Sequence, residues 1–291
     1  MKMRNIEKVF LFPTAILLII LIVLPFFFVF GTSFTDRNTF DFDRNSIDFV
    51  GNDNYSSIMT DSRFWNSMRV TLTISLLTVC SQMFLGLFFA LLLWKEGKGI
   101  DFVRGIVLLP MVLPPVVVGL MWRMFLQPTL PGLNYIFGLV GISTIDWLGS
   151  SITATIAIIM TVSWQWMPFV FLLLLAGLQS LPTSCFESAK IDGANKTQMF
   201  FRITLPLMKR IMVFVLIYRF VETLKIFPII HTMTGGGPGI STEPVSYYIW
   251  MQAFNSYRTG YASALVIITL FVIIFAAGGF ILYGKKSGVF K

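Results

Sequence analysis

Glu187–Pro206 reads ESAKIDGANKTQMFFRITLP, the longest polar interval in the second half of the chain. Long apolar runs flank it on both sides. Lys190, Lys196 and Arg202 sit among Glu187 and Asp192, a mixture that suits a docking surface outside a membrane. Gly193 separates two helix-compatible segments, ESAKID and ANKTQMFF, and Pro206 closes the interval. The pattern predicts a short helix, a turn at Gly193 and a second short helix. Glycine permits the turn, and Asp192, with Gly193 behind it, is expected to cap the second helix.

Working outward, the flanking runs set the class. Of 291 residues, 56% are hydrophobic and 12% are charged, half the ~25% charged of soluble domains. Apolar runs near ~20 residues each mark a polytopic membrane protein. The expected fold class is all-α, with six transmembrane helices at about 9–31, 67–94, 103–126, 150–178, 211–231 and 261–283. The first run is too long for a signal-peptide core and lacks a small-residue cleavage site, so it reads as a retained span. The third holds Pro110, Pro114 and Pro115. These free backbone carbonyls, so that helix is expected to be kinked or broken and packed inside the bundle.

The loops are equally uneven. Residues 32–65 carry six Asp, with Phe49, Tyr55 and Trp65 between them, and read as an ordered extracytoplasmic loop with a short interfacial helix near 52–62. Residues 127–148 have no Lys or Arg and read as an outer loop with a re-entrant or interfacial piece. Thr234–Gly239 (TGGGPG) reads as a flexible turn ahead of a stretch rich in Tyr and Trp.

Charge sets the orientation. The two termini, residues 95–104 and residues 179–210 hold 14 of the 22 Lys and Arg, while 32–65 and Arg258 hold 4. Arg69, Arg123, Arg219 and Lys225 lie within or at the edges of spans. A 14-to-4 bias makes the first side cytoplasmic. Both ends and the Glu187–Pro206 interval are therefore expected in the cytoplasm. The net charge of +8 is this bias, and nucleic acid is not an expected partner.

Several chemistries drop out. The chain has no phosphate-cradling GxxxxGK[ST] sequence, which excludes nucleotide hydrolysis by that route. Cys80, Cys185 and the lone His231 support neither a disulfide framework nor a metal site. No catalytic or metal-binding residue is expected, and the chain is not expected to be an enzyme.

What remains is intramembrane polarity. The fifth run contains Arg219, Glu222, Thr223, Lys225 and Ile226. On one continuous helix, 219, 222/223 and 226 share a face, which suits the wall of an aqueous cavity. An Arg219–Glu222 pair holding two helices together fits the same letters. The fourth run offers Trp164, Gln165, Trp166 and Phe169, rings and an amide that suit a sugar. The same rings also suit an interfacial aromatic belt.

With these residues in view, a resemblance appears. Glu187-Ser188-Ala189, Asp192-Gly193-Ala194, Ile203 and Leu205-Pro206 resemble the E-A-A…D-G-A…I-x-L-P loop of ABC-importer permeases, with Ser188 replacing the usual Ala. Val50-Gly51…Asn54-Tyr55, the Pro-rich third run with Trp122, Gly132…Asn134, Trp164…Pro168, Gly177-Leu178-Gln179 and Thr234–Pro238 are similar to the carbohydrate-uptake subgroup, on the side of the larger maltose permease. The resemblance covers residues 9–284, without the extra N-terminal spans and large extracytoplasmic insertion of the maltose protein.

The resemblance implies a type I ABC importer permease fold. It implies that 183–210 forms the coupling-helix loop docking on an ATPase through Glu187, Ser188, Ala189, Asp192, Gly193 and Ala194. The family's sugar-contacting positions fall on Gln165, Trp166, Phe169, Arg219, Thr223 and Ile226, with Glu222 beside them. Only Phe169 and Thr223 keep the family's residue type. The implied partners are a second homologous permease as a heterodimer, two ATPase copies that bind ATP and Mg, an extracytoplasmic solute-binding protein, a carbohydrate and membrane lipid. The implied location is a bacterial or archaeal cytoplasmic (inner) membrane. ATP would close the ATPases, draw the coupling helices together and tilt the bundles from inward- to outward-facing. The alternatives are a permease for glycerol phosphate or an amino acid, a secondary transporter, which would need paired broken helices, and a non-transporting scaffold.

Overall fold

The computed structural model describes residues 3–38, 40, 47–95, 97–130 and 132–286. Asp41 and Asp43 of the 32–65 loop, Glu96 in the 95–99 turn and residues 287–291 of the tail lie outside the described residues. In order, the helices are α1 (Met3–Thr32), α2 (Asp53–Thr60), α3 (Ser62–Leu93), α4 (Ile100–Leu108), α5 (Pro115–Phe125), α6 (Leu133–Leu139), α7 (Ser151–Gln179), α8 (Thr183–Ile191), α9 (Lys196–Met199), α10 (Leu205–Thr223), α11 (Pro228–Met233), α12 (Val245–Trp250) and α13 (Thr259–Lys286). Among the described residues there is no strand beyond an isolated bridge between Thr35 and Phe49.

Leu11–Thr32, Ser62–Leu93, Ser151–Gln179 and Thr259–Gly279 are long and apolar enough to cross a membrane. Ile100–Val112 with Pro115–Phe125 makes a fifth if taken together, bent by 96° at its break. The prolines cause that break. Pro110 sits in a 3-10 turn, Leu109–Val112, Pro114 is extended, and Pro115 starts α5, where its missing N–H costs nothing. The fifth run differs from expectation in its bounds. Its helix, α10, starts at Leu205 and ends at Thr223, and its 19 residues carry Lys209, Arg210, Arg219 and Glu222, too many charges for an ordinary apolar span.

The described residues divide into two compact units. The first lies within Met1–Trp65 and Tyr248–Val272. Here the Gly51…Asn54-Tyr55 motif has a structural task. Gly51 turns the chain at φ 58°, Asn54 Nδ2 donates to the carbonyls of Ser33 (2.9 Å) and Thr35 (2.8 Å), and Tyr55 and Ser33 share a hydroxyl hydrogen bond of 2.7 Å. Asp61 accepts from the Tyr248 and Tyr261 hydroxyls, while the Arg63 guanidinium lies over the Tyr248 ring. Burial works to raise the Asp61 carboxyl. The tyrosine hydroxyls and the Arg63 and Phe64 amides outweigh it and hold the group below the ordinary carboxylate value. From Leu11 onward the apolar side chains of α1 stay largely exposed, as lipid-facing residues do.

The second unit lies within Asn66–Tyr247 and Ile273–Lys291. Its core joins Ala90 and Leu93 of α3, Val170, Phe171, Leu174, Leu175 and Leu178 of α7, and Met208 and Val215 of α10. Gly86 lets α3 approach α7 closely, since a Cβ there would stand 2.7 Å from Val170. Small residues at such crossings are how membrane helices gain packing contact. α7 is the more buried of the long helices here, with 61% of its apolar window buried and 33% of α3's.

Candidate functional site

Two groups of polar residues stand apart from the packing. The first is the 183–210 interval. α8 ends at Ile191, and Gly193 is left-handed at φ 75°. The Gly193 amide donates to Lys190 O (3.1 Å) and the Ala194 amide to Ala189 O (2.9 Å). These two bonds are a Schellman stop, which requires a residue tolerant of positive φ at 193. Ala189 is buried and Ala194 half-buried, whereas Glu187, Ser188 and Asp192 are exposed. The small residues of the motif therefore close the turn, and the polar ones are displayed around it with exposed Ile191 and Phe201.

One expectation needs correction here. Asp192 is the C-cap that follows α8, not the cap of α9. The cap is Asn195, whose side chain accepts from the Gln198 amide (2.8 Å) while Gln198 accepts from the Asn195 amide (2.9 Å). The left-handed turn uses up residues 193 and 194, so α9 cannot start directly after Asp192. It runs through a π-helical stretch, Phe200–Thr204, into α10.

The second group lies where α3, α7 and α10 meet. Arg219 is 3% exposed. Its Nε donates to Gln82 Oε1 at 3.0 Å, and its guanidinium carbon lies 4.9 Å from the centre of the Trp166 ring. Gln82 is also fixed from its other end, since its Nε2 donates to the Val162 carbonyl at 3.1 Å. The Arg219–Glu222 pair does not form. Glu222 instead pairs with Lys225 at 2.8 Å, with both side chains substantially exposed.

Trp166, Arg219, Glu222, Thr223, Lys225 and Ile226 line a cavity of about 130 Å³ together with Pro115, Val162, Pro228 and Ile229. The expectation of one helical face is therefore revised. α10 stops at Thr223, and Ile226 reaches the cavity from the turn beyond, where its amide donates to Thr223 O at 3.2 Å. Two expected site residues are not on the cavity wall. Gln165 Nε2 donates to the Leu113 carbonyl at 2.9 Å, an acceptor freed by the proline break between α4 and α5. Phe169 stacks on Tyr218, with centroids 5.3 Å apart.

Gln82 was absent from the sequence expectation, as was the row it belongs to. Ser67, Thr71, Ser75, Thr78 and Gln82 are all buried on α3. Their spacing of four, four, three and four residues is a helical stripe. Ser67 donates to Glu243 (3.3 Å), and Thr71 accepts from the Val245 amide (2.9 Å). Ser75 Oγ and Thr78 Oγ1 have no protein partner, nor does Ser163 Oγ on α7. The spacing was legible, but hydroxyls inside an apolar run carry little weight in a hydropathy reading.

The chain is 36% identical over 265 residues to the trehalose/maltose transport system permease protein MalF of Thermococcus litoralis, covering 90% of this chain and 88% of the relative. It is 36% identical over 268 residues to the sulfoquinovosyl glycerol transport system permease protein SmoG of Agrobacterium fabrum, covering 91% and 85%. A chain in the crystal structure of a bacterial alginate ABC transporter, solved with an alginate-bound periplasmic protein, has the same fold at TM-score 0.84, 22% identity and coverage of 98% and 96%. Residues 82–284 match the binding-protein-dependent transport system inner membrane components, and the chain belongs to that family.

Proposed function

We propose that this chain is one of two permease subunits of an ATP-driven importer that carries a carbohydrate handed over by a solute-binding protein. The observation that carries this reading is identity of 36% over nine-tenths of the chain to two permeases named for sugar-containing solutes. The geometry agrees with it. An aromatic face, a guanidinium and a hydroxyl meet at one cavity, the kind of lining that stacks a pyranose and binds its polar groups. At about 130 Å³ the cavity is smaller than ordinary ligand sites, which hold about 300–1,000 Å³. A homologous permease would supply the remaining wall.

In this reading the displayed residues around Gly193 dock on the ATPase. Two ATPase copies hold ATP and Mg, and their closure draws the α8–α9 turn inward. The 14-to-4 distribution of Lys and Arg supports both termini and this turn lying in the cytoplasm, and the family supports a bacterial or archaeal inner membrane. The exposed Cys185 beside the turn tests that placement. In a Cys80→Ser background, a membrane-impermeant maleimide should label it in inverted vesicles and not in intact cells.

The decisive experiment reconstitutes the whole importer in proteoliposomes and follows ATP-dependent uptake of sugars delivered by the binding protein. Glu187→Lys should leave the protein inserted but cut uptake by at least tenfold, about 1.4 kcal/mol of lost docking or more. Uptake at the original rate would sink the coupling assignment. Failure to transport any sugar would sink the carbohydrate assignment.

A further inference from the structure

Arg219 brings to the cavity wall a positive charge that, among the described residues, no carboxylate contacts. Among the described residues Arg219 forms no ion pair. The hydrogen bond that its guanidinium makes goes to a neutral amide, Gln82 Oε1. Glu222 is committed to Lys225, so that pair adds little net charge to the wall. A buried cation without a counter-ion is costly, and more so at membrane depth. A structural arginine in such a place ordinarily meets a carboxylate. This one is oriented without being neutralised.

The orientation is itself informative. A guanidinium has five N–H donors. Gln82 takes Nε–H, and Trp166 lies against the guanidinium. The four Nη–H donors remain, in the fork that matches a carboxylate, sulfonate or phosphate by two parallel hydrogen bonds. Gln82 is pinned by the Val162 carbonyl, so this fork is held rather than free to swing.

We infer that the transported solute carries an anionic oxygen group, taken by the Nη edge of Arg219, and that Gln82 is the positioning residue for that contact. This rests on the reading of the cavity as the solute site. The ring of a sugar would lie beside Trp166, and its acidic substituent would supply the missing counter-charge. Neutral sugars would leave the guanidinium unpaired and bind more weakly.

The test uses the assembled importer, with both permeases and both ATPases, in nanodiscs. Binding is read by calorimetry with two matched pairs of probes: glucosyl glycerol against sulfoquinovosyl glycerol, and glycerol against sn-glycerol 3-phosphate. The anionic member of at least one pair should bind roughly 10- to 100-fold more tightly, the range expected of a hydrogen-bonded charge contact. Arg219→Gln should reduce that preference to within about threefold, and Gln82→Leu should reduce it in part. Equal affinities within both pairs, or preference for the neutral members, would overturn the inference, as would an anionic preference that survives Arg219→Gln. Equal affinities together with loss of assembly in Arg219→Gln would make Arg219 a subunit-interface residue instead. If Arg219→Gln does not assemble, the wild-type series still decides the question. Binding of glycerol phosphate with no sugar bound would keep this inference and overturn the carbohydrate reading. Tight binding of neutral glucosyl glycerol alone would do the reverse.

Discussion

The two polar regions of this chain are built in opposite ways. Around Gly193 the backbone is fixed and the side chains are displayed. Two amide hydrogen bonds and a capping box set the turn, while Glu187, Ser188 and Asp192 remain exposed. Around Arg219 the side chains themselves are fixed, each by a residue from another helix: Gln82 from α3 and Trp166 from α7. A docking surface needs a defined backbone shape and side chains available to a partner. A small-molecule site needs donors already aimed before the solute arrives. The contrast is what separates the part expected to receive energy from the part expected to choose the solute.

The largest effect should come from attacking the fixed side chains. Gln82→Leu removes the acceptor for Arg219 Nε and the donor to Val162. Hydrogen bonds between membrane helices average only ~0.6 kcal/mol, but those to charged groups reach about 1.5–3 kcal/mol. The guanidinium places this change near ~2 kcal/mol, visible as a lower melting temperature of the purified complex. Adding Arg219→Leu should recover most of that loss, because removing both partners leaves no buried group unsatisfied. A Gln82→Leu protein that melts like the wild type would erase the contrast between the regions.

A smaller effect should follow from attacking the fixed backbone of the turn. Gly193→Val places a β-branched residue at φ 75°, at a cost of about 1–2 kcal/mol. The Schellman bonds should loosen, so hydrogen exchange at the Gly193 and Ala194 amides should accelerate roughly tenfold, while solute affinity stays unchanged. A change in solute affinity of the same size would show that the two regions do not divide the work.

The sequence was legible where a signal is local. Apolar runs announced α1, α3, α7 and α13, and Pro110, Pro114 and Pro115 announced the break between α4 and α5. The letters from Glu187 to Pro206 announced a helix, a turn and a second helix. What could not be read was pairing over distance. Gln82 and Arg219 are 137 positions apart, and neither residue names the other. Glu222 lies three residues from Arg219 and three from Lys225, so spacing does not choose between them, and it pairs with Lys225. An amide beside tryptophans suits a sugar, which is why Gln165 is expected at the site; it lies off the cavity wall, with Nε2 on a carbonyl freed by the prolines of another element and Oε1 buried without a protein partner.

The end of α10 shows the same limit in a different form. Residues 219, 222/223 and 226 share a face only while the helix continues. It stops at Thr223, and no glycine or proline marks the stop before Pro228. The cavity nevertheless collects Ile226, so which residues share that wall was more legible than the backbone path that brings them there.

The smallest effect separates Asp192 and Asn195, the residues on either side of the Gly193–Ala194 turn. Asn195→Ala deletes the side-chain half of the capping box, the acceptor for the Gln198 amide, and leaves only the backbone amide of position 195 donating to Gln198. Loss of such a cap costs about 1 kcal/mol. Asp192→Ala should stay within about 0.5 kcal/mol, as exposed substitutions do, because Asp192 is exposed and follows α8 only as its C-cap. The measurement is hydrogen exchange at the Gln198 and Met199 amides in the intact complex, comparing the two variants. Faster exchange in Asn195→Ala alone agrees with a start of α9 fixed by its own cap. Equal acceleration in Asp192→Ala would mean that the two short helices share one cap and move as one body, and the displayed residues would then be held more tightly than the contrast with Arg219 allows.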